Sequence, residues 1–199
     1  GVKKLVLIQS KPGLGKTTLA KSVVEKLNAE GFSAQHFSLG ERLRAISDEE
    51  VQSKFSGQMA YFKDALAHHG TIDDPDLIHG IVLEAIDELP SDVIVIDGYP
   101  RYTRLVDGFS DMVAEGEVKL ICLVVIDGSD SFAKERMSNR GRKLFGVRED
   151  MDERLATHRN NVEPAIIELE RRFGALHVDA TRPLSEKTAD TCSHVVSLL

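Results

Sequence analysis

Apolar positions along this chain come in two kinds of segment that alternate. Three continuous apolar runs, at residues 5–8, 93–96 and 118–126, have the length and β-branched content of strands buried on both faces. A shorter run at 33–38, entered through Gly31 and Phe32, and the pair His177-Val178 predict two further short strands. Between them the spacing switches to that of helices. Leu19, Val23 and Leu27, with Ala20 and Val24 beside them, share one face, and so do Leu77, Ile78, Ile81, Val82, Ala85, Ile86 and Leu89. The second of these helices is announced by Asp73-Asp74-Pro75, a carboxylate cap followed by proline in the first turn. Residues 40–72 are mostly polar and helical in pattern, punctuated by Gly57 and Gly70, and Ser47-Asp48-Glu49-Glu50 fits a capping box. Pro164, inside a helical pattern, predicts a kink or local break. Strands separated by helices imply an α/β fold: a five-stranded parallel sheet with helices on both faces, a three-layer sandwich.

Length and charge narrow the picture without changing it. The 199 residues suit one domain, 1–199, with small inserted lobes. A net charge of -7 argues against nucleic-acid or anionic-membrane partners, which need a broad basic surface. Cys122 and Cys192 are too few for a disulfide framework or a zinc knuckle and read as reduced, buried thiols. No apolar run approaches a membrane span and no signal-peptide pattern is present, so the expectation is a cytoplasmic protein, with a monomer as the default state.

The chemistry is concentrated where the first strand meets the first helix, at Ser10-Lys11-Pro12-Gly13-Leu14-Gly15-Lys16-Thr17-Thr18. Strand, tight loop and helix in this order form a phosphate-binding loop (P-loop). Gly13 and Gly15 allow successive backbone N–H groups to converge on one concavity, and the helix adds its own N-terminal donors. Lys16 then reaches the β- and γ-phosphates, and the Thr17 hydroxyl faces Mg²⁺. Ser10 stands where the usual pattern has its first glycine, which predicts a slightly reshaped loop. A second group follows the third strand: Asp97-Gly98-Tyr99-Pro100-Arg101 puts a carboxylate suited to Mg²⁺ and a fixed cation at the same end of the sheet.

On these residues the chain resembles the adenylate kinase family of nucleoside monophosphate kinases. Lys11 to Lys16 is similar to that family's phosphate loop, and Ser38-Leu39-Gly40-Glu41-Arg42-Leu43-Arg44 to its Ser-Thr-Gly-Asp-x-Leu-Arg segment. Asp97 to Arg101 is similar to its Asp-Gly-Phe-Pro-Arg motif, and Glu135-Arg136-Met137-Ser138-Asn139-Arg140 to the helix before its lid. Arg154-Leu155 with Pro164 resembles the helix after the lid, and Val178-Asp179 the segment leading to the donor base.

The resemblance implies ATP as donor and Mg²⁺ as cofactor. It implies that Pro12, Gly13, Leu14, Gly15, Lys16, Thr17 and Thr18 hold the donor phosphates, with Asp97 positioning the hydrated metal. Arg136, Arg140 and Arg154 would surround the donor, Arg136 also against its base. Arg44 and Arg101 would clamp an acceptor phosphate, beside Leu39, Gly40, Asp73, Gly98 and Leu105. It further implies a helical acceptor lobe at 39–72 and a short lid at 141–150. Phosphoryl transfer asks for such a set on its own account, because it needs alignment and charge compensation more than covalent help.

Three positions depart from the family. Leu39 replaces a base-contacting threonine, Leu105 replaces a glutamine that reads adenine, and Asp73 stands where an apolar residue is usual. An apolar wall discriminates weakly between bases, so strict AMP specificity is not expected. The lid segment is short and lacks metal-binding cysteines, but holds Gly141, Arg142, Lys143, Gly146 and Arg148, with Glu149-Asp150 after them. Two other readings stay open. One is a small-molecule kinase with a sugar or metabolite acceptor and Asp73 or Asp97 as base; the other is a nucleotide-binding regulator. His68-His69 and His158 read as surface and packing residues, not catalysts.

Overall fold

A computed structural model describes residues 1–45, 74–140, 143–144, 147–148 and 150–199. Five strands form one parallel sheet: β1 (Lys3–Gln9), β2 (Ala34–Ser38), β3 (Val93–Asp97), β4 (Val118–Asp127), and the last strand, numbered β7, at Leu176–Asp179. Their order across the sheet is β2-β3-β1-β4-β7, with β1 central. The expected strands are therefore present, each end within two residues of its expected place. β1 is flanked by partners on both sides, which is why its run of Leu5, Val6, Leu7 and Ile8 is continuously apolar and wholly buried.

Alternation along the strands sorts the helices into two layers. Leu5, Leu7, Ile94 and Ile96 pack with α3 (Pro75–Asp87), α4 (Thr103–Ala114) and α7 (Glu163–Phe173). Val6, Ile8, Val93 and Val95 face the opposite layer, built from α1 (Lys16–Ala29), α8 (Leu184–Leu198), and single buried residues of α5 (Asp130–Arg140) and α6 (Met151–Thr157). The three-layer arrangement is the one expected. Cys122 and Cys192 are buried free thiols, one in β4 and one in α8. Among the described residues no helix is long and apolar enough to cross a membrane.

Two local predictions can be followed in detail. Asp74 caps α3, its carboxylate accepting from Leu77 N, with Pro75 at the first helical position. Pro164 breaks the helical pattern one turn early. Residues His158–Val162 form a π-helical turn between α6 and α7, with Glu163 N–H bonded to the His158 carbonyl. Pro164 has no N–H to give and its ring crowds the preceding turn, and a widened turn absorbs both defects.

Of the segments expected as inserted lobes, the structure describes α2 (Leu39–Ala45) and a pair of short antiparallel strands. In that pair, β5 (Lys143–Leu144) pairs with β6 (Val147–Arg148), so the segment expected as a plain loop carries a short ladder. Asp73, the capping box at 47–50, His68-His69 and the remainder of the 46–72 segment lie outside the described residues. So do Gly141, Arg142, Gly146 and Glu149.

Candidate active site

The carboxyl ends of β1 and β3 lie side by side, with Ile8 in register with Asp97. That pairing brings the loop after β1 and the segment after β3 to one cleft. Gly13 and Gly15 both take the left-handed backbone conformation, at φ 84°. Their lack of a side chain matters as much as their freedom. A Cβ on Gly13 would come within 2.9 Å of the Ala133 carbonyl, and one on Gly15 within 2.9 Å of Arg136 Nη1. The loop thus lies directly against α5, and Arg136 lies directly against the loop. Arg136 also sits over the Phe132 ring, 6.0 Å from its centre.

Leu14 anchors the turn from below. Its side chain is wholly buried, and a Cβ on Gly128 would strike it at 2.9 Å and Ala180 at 3.1 Å. Leu14 therefore contributes backbone to the concavity and side chain to the core. Ser10 is accommodated without a break: it is buried and its Oγ donates to the Lys11 carbonyl at 2.7 Å. Lys11 Nζ donates to Asp130 at 2.9 Å, and Arg159 of the π-turn donates to the other oxygen of that carboxylate at 2.8 Å. Asp130 ties the phosphate loop, α5 and the π-turn together. Pro12 is half-buried, and Thr17 and Thr18 are exposed on the first turn of α1.

Lys16 is where the site converges. Its pKa is lowered to about 8, first by burial and then by the neighbouring Arg101 and Arg154 guanidinium groups, with Asp97 pulling the other way. Three cations around one carboxylate make a cleft suited to an anion. Gly98 borders Lys16, whose Cε would lie 3.9 Å from an added Cβ there. Asp97 is hydrogen-bonded through Oδ2 to His36 Nε2 of β2. The segment beyond it is pinned twice to β1, by Gly98 N donating to the Ile8 carbonyl at 3.1 Å and Gln9 Nε2 donating to the Pro100 carbonyl at 2.9 Å.

A hard divalent cation fits this donor set. The Asp97 carboxylate has Oδ1 free of the His36 bond, Thr17 offers a hydroxyl, and Mg²⁺ characteristically takes one or two protein oxygens and fills the rest of its shell with phosphate and water.

Leu39 and Leu105, expected beside the acceptor, are core residues. They are 7% and 3% exposed and belong to the layer with α3, α4 and α7. Their burial has a simple cause: Leu39 starts α2 where β2 ends, Leu105 lies in the first turn of α4, and each packs among apolar residues of that layer. Gly40 is half-buried at the start of α2. Arg44 and Arg140 are placed by their backbones in α2 and at the end of α5.

Two contributors were missed or under-read in the sequence. His36 escaped notice because its partner is 61 positions away and the adjacency of β2 and β3 is not visible in a linear pattern. His158, read as a packing residue, is indeed buried, but it packs on the phosphate loop, beside the Ser10 backbone with Lys16, Lys11 and Arg101 near.

Residues 11–154 match the family model described as an AAA domain. Over 142 residues the chain is 35% identical to the adenylate kinase of Helicobacter hepaticus, covering 71% of this chain and 70% of that protein. It is 29% identical to the adenylate kinase of Campylobacter curvus over 89% of both chains. In three dimensions it resembles the crystal structure of a gluconokinase from Sinorhizobium meliloti 1021, with a TM-score of 0.60 at 18% identity, covering 98% of this chain and 93% of that one.

Proposed function

This chain belongs to the adenylate kinase family and is an ATP-dependent phosphotransferase, and we propose that it is a nucleoside monophosphate kinase. It would move the γ-phosphoryl group of ATP to the phosphate oxygen of a nucleoside monophosphate, giving ADP and the diphosphate. The observation that carries this reading is the convergence of Arg101 and Arg154 on Lys16 beside Asp97. Such a cluster compensates the charge of two phosphate chains meeting end to end.

The residues divide the work by position. The backbone of Pro12 to Lys16 cradles the donor phosphates, Lys16 follows the transferred group, and Thr18 supports the loop from the first turn of α1. Arg136, lying on Gly15, holds the donor from the α5 side. Arg101, on the segment pinned to β1, grips the acceptor phosphate, and Arg154 stabilises the charge between them. Thr17 and Asp97 would hold Mg²⁺, which when bound would supply Lewis-acid neutralisation of the donor phosphate charge. Arg140 and Arg44 join the donor and acceptor sets, and Asp73 the acceptor side. The lobe at 39–72 and the short lid at 141–150 close over the cleft and exclude water.

A monophosphate acceptor brings its own anionic nucleophile, so no general base is needed. With Leu39 and Leu105 in the core, no polar side chain at those positions reads the acceptor base, and the specificity proposed is relaxed. A sugar-type acceptor would need a base, for which Asp73 and Asp97 are the candidates.

The test is ADP release from MgATP against a panel of ribo- and deoxyribonucleoside monophosphates, with ATP alone as control. Acceptor-dependent turnover is expected, and Lys16→Ala should lower it by roughly a hundredfold or more. Silence across the panel with ATP still bound would overturn the monophosphate reading.

A further inference from the structure

Tyr99 belongs to the segment that carries Asp97 and Arg101, yet its side chain lies wholly within the hydrophobic core. Its hydroxyl meets His79 Nδ1 of α3 at 2.5 Å and lies 3.7 Å from Met112 Sδ. The two rings stand edge to face, 5.8 Å apart, and Phe109 and Phe173 continue the series behind Tyr99. A phenylalanine and an aliphatic residue could fill this volume without burying two polar groups, which costs free energy unless each satisfies the other.

His79 is held from its far side as well. A Cβ on Gly108 would fall 2.4 Å from His79 Nε2, so the imidazole rests on the bare backbone of α4. Nε2 is buried with no hydrogen-bond partner among the described residues, and the Leu105 backbone lies near the ring. Whichever tautomer the ring takes, Nδ1 and the Tyr99 hydroxyl satisfy each other.

We propose that His79 is a positioning residue for Arg101: through the Tyr99 hydroxyl it fixes the 98–101 segment against α3. The inference rests on the assignment of Arg101 to the acceptor phosphate. The ties to β1, through Gly98 and Gln9, fix the segment against the sheet. The His79–Tyr99 bond adds the tie to α3, the helix onto which the chain emerges from the 39–72 lobe. Arg101 is exposed at the end of this segment, so its height over Lys16 depends on how the segment is held. Displacements near 1 Å are enough to impair phosphoryl alignment, by about a hundredfold in severe cases.

The experiment compares His79→Leu, Tyr99→Phe, the double variant and His79→Gln in the full chain. AMP, or the monophosphate selected by the panel, is varied against fixed MgATP and the reverse, and stability is measured alongside. Either single variant should raise the acceptor KM roughly fivefold or more while the MgATP KM stays within about twofold. The double variant should recover stability, since no polar group is left unpaired, and keep the raised acceptor KM. His79→Gln, which can still bond the Tyr99 hydroxyl, should restore it.

An acceptor KM that returns with stability in the double variant would reduce the pair to core packing and overturn the proposal. Equal changes in both KM values would do the same. If the native chain turns over no monophosphate, the kinase reading fails by itself. The positioning claim is then judged from the backbone amide resonances of Gly98 and Arg101 in His79→Leu: shifted or broadened signals uphold it, and superposable spectra overturn it.

Discussion

His158 offers a measurement of how strongly the phosphate cleft is polarised. The residue is 8% exposed on the π-turn, and its pKa is lowered from 6.5 to about 4. Burial is the first cause; Lys16, Lys11 and Arg101 follow, and the Ser10 backbone opposes them. The folded protein therefore keeps this imidazole neutral while the unfolded chain protonates it below about 6.5. In that window the unfolded state binds more protons, so stability falls as the pH drops, and the loss levels off below about 4. The separation between the two values is worth about 3 kcal/mol at full acid, of which about 2 kcal/mol is already lost near pH 5. Urea unfolding of the native chain and of His158→Phe at about pH 8 and about pH 5 isolates this contribution, because the other titrating groups act equally in both proteins. The native chain should lose about 2 kcal/mol more than the variant over that interval. Parallel losses, or an imidazole carbon resonance of His158 that titrates near 6.5 in the folded protein, would refute the argument that the three cations and burial act on this ring.

Two other outcomes follow from the same geometry. Arg101→Ala should raise the acceptor KM and lower kcat, roughly tenfold or more in kcat/KM, with MgATP affinity nearly intact; steady-state kinetics with each substrate varied would show unchanged acceptor constants if Arg101 lies outside the clamp. His177 should behave oppositely to His158. Its ring nitrogens face Glu170 at 2.6 Å and Asp127 at 2.8 Å, and these carboxylates raise its pKa, Glu170 most. Its stabilisation is complete below about 6.5 and is lost as the pH climbs through the raised folded value. Denaturation of His177→Gln should show a deficit near pH 6 that disappears near pH 9, and a deficit constant with pH would dismiss the ion pairs.

What was legible in the sequence shares one property: it is local. The Asp74 cap, the proline behind it, the glycines of the phosphate loop and the apolar runs of the strands are each decided by neighbours a few positions away. The same holds for the site at the level of segments, since strand ends and the loops after them must face one edge of a parallel sheet. What stayed hidden depends on which strand lies beside which. Asp97 could be assigned to the cleft from its place at the end of β3, but its bond to His36 exists only because β2 is the neighbour of β3. Likewise Tyr99 and His79 are 20 positions apart, and their meeting depends on how α3 and α4 pack on the same layer.

Leu39 and Leu105 show the limit of reading a site by position alone. A family pattern fixes where the backbone runs, and at both positions the polar side chain that would stay at the cleft has been exchanged for an aliphatic one. Such a side chain has no partner in the cleft and gains free energy by burial, by about 2 kcal/mol for a leucine. It therefore packs into the apolar layer beneath, as both leucines do. Ser10 is the opposite case. The first glycine of the loop pattern has been replaced by a polar residue, and the hydroxyl is satisfied at once by the next carbonyl, at 2.7 Å. A small buried hydroxyl with a hydrogen bond costs little, whereas a Cβ at Gly13 would collide with the Ala133 carbonyl, and Gly13 and Gly15 both hold a positive φ that other residues rarely adopt. The tolerance of each loop position is set by what stands against it, not by its place in the pattern.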